Sequence, residues 1–152
     1  LDDPFRAIDE QLAACPLKTG ADVIFIDFHA EATSEKEALG HFVDGRATAV
    51  VGTHTHVPTA DHQILSGGTA FMSDAGMCGD FDSVLGMDKE EPISRFLSKI
   101  PSRRFAPSKG DATVCGVAID VDDATGLARA IAPLRLGGRL SQAEPAFWAE
   151  KA

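Results

Sequence analysis

Positive charge is scarce in this chain: 14 Lys+Arg stand against 23 Asp+Glu over 152 residues, a net charge of −9 with His neutral. The acidic residues are scattered, so no basic stripe is available to neutralise phosphates, and stable nucleic-acid binding is not expected. Long apolar runs are also missing. The longest, Val23 to Ile26, falls far short of the roughly 20 residues a membrane span requires, so no membrane partner is expected. Cysteine is sparse: Cys15, Cys78 and Cys115 form no CxxC pair and no dense framework, which predicts free thiols in a reducing, cytoplasmic setting. For Cys78 and Cys115 the expectation is a buried, inert thiol, since neither has a base beside it in sequence. No initiator Met is present at Leu1 and no signal-peptide pattern follows it, so the expectation is a piece of a longer chain. What remains is an ordinary globular composition, 44% hydrophobic and 24% charged, at the length of one domain.

Phe5, Ile8 and Leu12 recur at spacings of three and four, which predicts an amphipathic helix over residues 2–15. Residues 21–29 (ADVIFIDFH) read as a strand buried on both faces, with Val23, Phe25, Asp27 and His29 on one of them. A helix is expected over residues 33–43, opened by a Ser34/Glu37 capping box, followed by a buried strand over residues 47–53. A third strand is expected over residues 67–74, then a glycine-punctuated loop. The pattern predicts a helix over residues 88–100, with Ile93, Phe96, Leu97 and Ile100 on one side. Residues 113–121 and 128–136 read as a hairpin, with Pro133 making the second strand an edge or bulged one. Residues 137–152 are expected to be a loosely attached tail. The order strand, helix, strand indicates an α/β fold.

The chemistry gathers around Gly52-Thr53-His54-Thr55-His56. Two imidazoles two residues apart on extended backbone project to one side and can reach one metal or two adjacent ones. His29 ends the neighbouring strand, so in a parallel sheet it arrives on the same edge. Three neutral imidazoles suit Zn, Fe or Mn, with carboxylates needed to complete an octahedral or bridged site. Asp27 is the candidate to accept the free ring N–H of a ligating His, or alternatively caps the following turn. Glu31 is expected to cap or tether its loop rather than bind metal, Asp61 and His62 to belong to a solvated turn, with a place around the metal ligands as the alternative, and His41 to be a surface or helix-end residue. Gly76 and Met77 form a candidate phosphate-approach loop, against the simpler reading of a tight turn.

DFHAEATSEK (Asp27 to Lys36), GTHTHVPTAD (Gly52 to Asp61), SDAGMCG (Ser73 to Gly79) and DSVLGMDKE (Asp82 to Glu90) together resemble the YmdB-like bacterial metallophosphoesterases, of the calcineurin-like phosphoesterase superfamily. The resemblance runs to about Leu136. It implies a layered β sandwich flanked by helices, two divalent ions (Fe, Mn or Zn), and phosphodiesterase activity on substrates that include cyclic nucleotides, through a dimetal-activated hydroxide. It further implies His29 and His54 as ligands of one metal, His56 as a ligand of the other, and homo-oligomerisation. The family's first-strand Asp, Glu-Asn pair and GNH motif are not found, and the 152 residues contain no Asn. The expectation is therefore that residues 1–136 are the C-terminal part of a metallophosphoesterase domain, residues 137–152 a tail, and the missing N-terminal half of the fold a partner. Such a chain would not turn over substrate alone. Two alternatives remain: a non-catalytic domain whose histidines bind a structural or regulatory metal, and a single-zinc hydrolase using three histidines.

Overall fold

The computed structural model describes residues 2–149. Helix α1 (Pro4–Ala14) starts where Asp3 accepts from the Phe5 and Arg6 amides and Pro4 needs no donor partner. Strand β1 (Phe25–His29) leads into α2 (Thr33–Phe42), and β2 (Ala49–Thr53) returns parallel to β1. The N-cap of α2 is Ala32, with no side-chain cap, so the expected Ser34/Glu37 box does not form; both residues lie inside the helix. Strands β3 (Gln63–Ile64) and β4 (Ala70–Met72) complete a sheet ordered β1-β2-β4-β3, in which only β3 is antiparallel.

A second sheet has the order β5-β6-β7, from β5 (Gly79–Asp80), β6 (Ala112–Val121) and β7 (Ala128–Leu136). Pro133 falls on β7, the edge strand, where its missing N–H costs no ladder bond to a further strand. Helix α3 (Glu90–Ser98) is inserted in the chain between β5 and β6, and a short α4 (Ala146–Ala149) follows the hairpin.

The first sheet is covered differently on its two faces. Against α1 and α2 lies the main core of Leu12, Ile26, Leu39, Val43, Ala47, Val50, Leu65 and Phe71. On the opposite face Ala49 and Ala70 pack against Ala128, Ile119 and Ile131 of the hairpin, which gives a layered α/β architecture of two sheets with flanking helices. Strand β1 sits at the edge and is not buried on both faces as expected. Ile26 faces the core, whereas Phe25, Asp27 and His29 are exposed.

Two further expectations are corrected. The apolar stripe of α3 points outward, with Phe96 74% and Leu97 80% exposed, because the opposite side is anchored by buried Glu91 through Arg95 and Ser102. The segment after β7 is tethered: Arg135 and Ala143 exchange two backbone hydrogen bonds of 2.8 and 3.0 Å, and Arg139 pairs with Asp82. The end of the expected tail, residues 150–152, lies outside the described residues.

Candidate metal centre

The site forms where β1 and β2 end together. Parallel register puts His29 beside Thr53, so both side chains leave the C-terminal edge of the sheet on one face. Thr53 Oγ1 donates to Asp27 Oδ1 at 2.8 Å, which commits its only proton. The same oxygen therefore accepts from His29 Nδ1 at 2.9 Å, and the lone pair of His29 is left on Nε2. That nitrogen faces His54 Nδ1 at 3.1 Å, with the two rings edge to face at 86°. On its other side His54 Nε2 meets Glu31 Oε2 at 2.6 Å.

Two imidazole nitrogens each about 2.0–2.1 Å from a common ion stand about 3 Å apart at an angle near 100°. The His29–His54 separation has this value, so the pair fits as two donors to one metal. It is not a complete ligand set: among the described residues, no group of three or more His, Cys, Asp or Glu side chains is arranged to hold a metal ion. His56 is directed elsewhere, with Nδ1 donating to the Leu85 carbonyl at 3.1 Å, which leaves Nε2 as its open nitrogen.

The loop bearing His54 and His56 is strained. Their φ angles are 123° and 66°, both in the region L residues avoid, at a cost on the order of 1–3 kcal/mol each. Between them the Thr55 amide donates to Asp74 Oδ2 at 2.8 Å, and Asp74 in turn pairs with Lys36 at 3.0 Å. Burial pushes the Asp74 carboxyl up. The Thr55 and Gly76 amides and the Lys36 ammonium outweigh that and hold it below its ordinary value, so Asp74 is a stable anion. Strand β2 approaches this anchor closely at Gly52, where an added Cβ would lie 1.8 Å from the Ser73 carbonyl oxygen.

The expected Asp27 contact with a histidine ring runs through the Thr53 hydroxyl instead. Glu31 tethers its loop to His54, as its place in the sequence suggests. Gly76 and Met77 do not offer free amides to a phosphate: Gly76 N–H donates to Asp74 Oδ1 at 2.9 Å and Met77 N–H to the His56 carbonyl at 3.2 Å. Gly76 is required for its φ of 80° and its contact with Pro58. Asp61 is not merely solvated. Burial raises its pKa, but the Ser73 and Thr59 hydroxyls and the Ser73 amide hold it below the usual range. His41 and His62 are exposed. Cys78 is exposed, contrary to expectation, whereas Cys115 is buried and its thiol is pushed up by that burial and by the neighbouring Cys78.

Thr53, Asp74 and Lys36 join the site without having been expected from the sequence. Lys36 had a signal: with Leu39, Gly40 and Val43 it completes an i, i+3, i+4, i+7 stripe whose members are all buried, and a lysine in such a stripe implies a buried partner.

Comparison with known proteins extends these observations. The 2′,3′-cyclic-nucleotide 2′-phosphodiesterase of Bacillus subtilis (strain 168) is 57% identical over 125 residues, 82% of this chain and 46% of that protein. A hypothetical protein of known structure from Thermus thermophilus superposes with a TM-score of 0.81 at 42% identity, covering 91% of this chain and 52% of that one. A phosphatase structure from Mycoplasma pneumoniae gives a TM-score of 0.80 at 34% identity, over 99% of this chain and 50% of that one. The chain thus spans about half the length of the relatives it matches; these matches do not support assigning it to the C-terminal half in particular. No described helix is long and apolar enough to cross a membrane. The family model for YmdB-like proteins matches residues 1–134. On this match and these relatives, the chain belongs to the YmdB-like protein family.

Proposed function

We propose that the protein containing this chain is a metal-dependent phosphodiesterase acting on phosphodiesters such as cyclic nucleotides, and that this chain supplies part of its metal site. The observation that carries the reading is the 3.1 Å approach of His29 Nε2 to His54 Nδ1 at the end of two parallel strands. The name of the Bacillus subtilis relative supports the substrate class.

In this reading residues 1–136 belong to one metallophosphoesterase domain. His29 and His54 hold one divalent ion and His56, through Nε2, contributes to a second. Divalent ions of the Fe, Mn or Zn type supply Lewis-acid polarisation of a phosphodiester and a nucleophile at neutral pH. Asp27 and Thr53 fix the His29 tautomer so that Nε2 is the donor, and Glu31 accepts the remaining N–H of His54. Neutral imidazoles do not balance the charge of two cations. The anionic ligands come from the rest of the protein, and residues 1–152 alone are inactive.

The test is hydrolysis of a chromogenic phosphodiester by the full-length protein with added Mn²⁺, and by residues 1–152 alone. Activity in the first, lost on chelation, with none in the second, is expected. Metal binding without hydrolysis in the full-length protein would instead establish the regulatory-metal reading. That alternative draws its support from the incomplete ligand set of the described residues.

A further inference from the structure

We propose that the buried Lys36–Asp74 ion pair is a positioning device that holds the peptide between His54 and His56 and thereby sets the directions of both imidazoles. The inference rests on reading those histidines as the working edge of the site. Both side chains of the pair are 2% exposed, with Lys36 Nζ 3.0 Å from Asp74 Oδ2. Neither charge is tolerable there without the other, because each has given up its water.

The carboxylate does more than neutralise the ammonium. Oδ2, the oxygen facing Lys36, also accepts the Thr55 amide at 2.8 Å, and Oδ1 accepts the Gly76 amide at 2.9 Å. The Asp74 main chain meets Thr59 three times: the Thr59 amide donates to the Asp74 carbonyl at 3.0 Å, the Thr59 hydroxyl donates to the same carbonyl at 3.2 Å, and Thr59 Oγ1 accepts the Asp74 amide at 2.9 Å. Asp74 therefore grips the histidine loop at residues 55 and 59. The first grip lies between the two positive-φ histidines, where relaxation of the backbone would swing both rings. Lys36 reaches this point from α2 by passing beneath Gly52, where an added Cβ would sit 2.9 Å from its Cδ. Without the ammonium, Asp74 becomes a buried unpaired anion; it must protonate or turn towards water, and either change weakens its hold on Thr55.

The experiment compares Lys36→Met in the full-length protein with core controls, Val43→Ala and Leu39→Ala, choosing the one with the matching loss of thermal stability. Thr55 amide exchange is read relative to Val50, and Mn²⁺ affinity by calorimetry. Lys36→Met is expected to speed relative Thr55 exchange and weaken Mn²⁺ binding by about tenfold or more, while the matched control moves neither by more than about twofold. If Lys36→Met does not fold, Asp74→Asn is read by the same criterion. Equal relative Thr55 exchange in variant and control overturns the inference. Because that readout needs no metal, it decides the positioning claim even if the unaltered protein binds no Mn²⁺, an outcome that would remove the phosphodiesterase reading alone.

Discussion

Nε2 of His29 and Nδ1 of His54 face one another at 3.1 Å from the ends of adjacent parallel strands. Two residues on β1 and β2 enforce this relationship. Asp27 turns the Thr53 hydroxyl, and Thr53 turns the His29 ring, so a carboxylate that never touches a histidine decides which of its nitrogens is free.

Removing that relay should weaken the metal without disturbing the fold. Thr53→Val preserves shape on a strand but leaves His29 Nδ1 and Asp27 without their shared partner. We expect a loss of about 10–100-fold in Mn²⁺ affinity in the full-length protein, measured by calorimetric titration.

Gly52→Ala tests the close approach of β2 to the loop that carries Asp74. The added methyl meets the Ser73 carbonyl, which cannot move aside as a flexible side chain would. The variant should lose both thermal stability and Mn²⁺ affinity, whereas Gly116→Ala, at a position with open space around it, should lose neither. Thermal melts and metal titrations of the two check this.

In the core, Phe71→Ala removes a side chain only 2% exposed and should cost about 3–5 kcal/mol in urea unfolding. The exposed Phe96 of α3 is the contrast: Phe96→Ser should stay within about 0.5 kcal/mol of the unaltered chain.

Acid sensitivity should centre on Glu91. The Ser102 hydroxyl and the Arg95 guanidinium hold its carboxyl down to about 2, from an ordinary 4.5. Because the folded value lies below the unfolded one, the stabilisation is fully present above about pH 4.5 and is lost as pH falls towards 2. Glu91→Gln should flatten the acid limb of a stability profile measured by urea midpoint, with the larger loss at neutral pH.

Much of this architecture is legible in the sequence, and what is not has physical causes. The stripe of Phe5, Ile8 and Leu12 marks α1 because burial of one face is written into spacing. The His29 motif marks the sheet edge because parallel pairing determines where it emerges, whereas His54 and His56 lie beyond β2 on positive-φ backbone, so the extended, one-sided projection expected of them does not hold. The face of β1 is misjudged because Phe25 is apolar yet lies on the exposed side of an edge strand, 54% exposed, and Val23, ahead of the strand, is likewise 51% exposed. In α3 the pattern Ile93, Phe96, Leu97, Ile100 gives the helix but not its orientation, which depends on the contacts of Glu91 with Ser102 and Arg95. Thr53 and Asp74 escape notice because their roles are long-range hydrogen bonds, which leave no period in the chain.

The most direct test of the account is Mn²⁺-dependent phosphodiester hydrolysis by the full-length protein carrying His29→Ala or His54→Ala, each measured at saturating substrate beside His62→Ala. A loss of about 100-fold or more is expected for each of the first two, with no change for the exposed His62. A loss of no more than about twofold at His29 or His54 would contradict it.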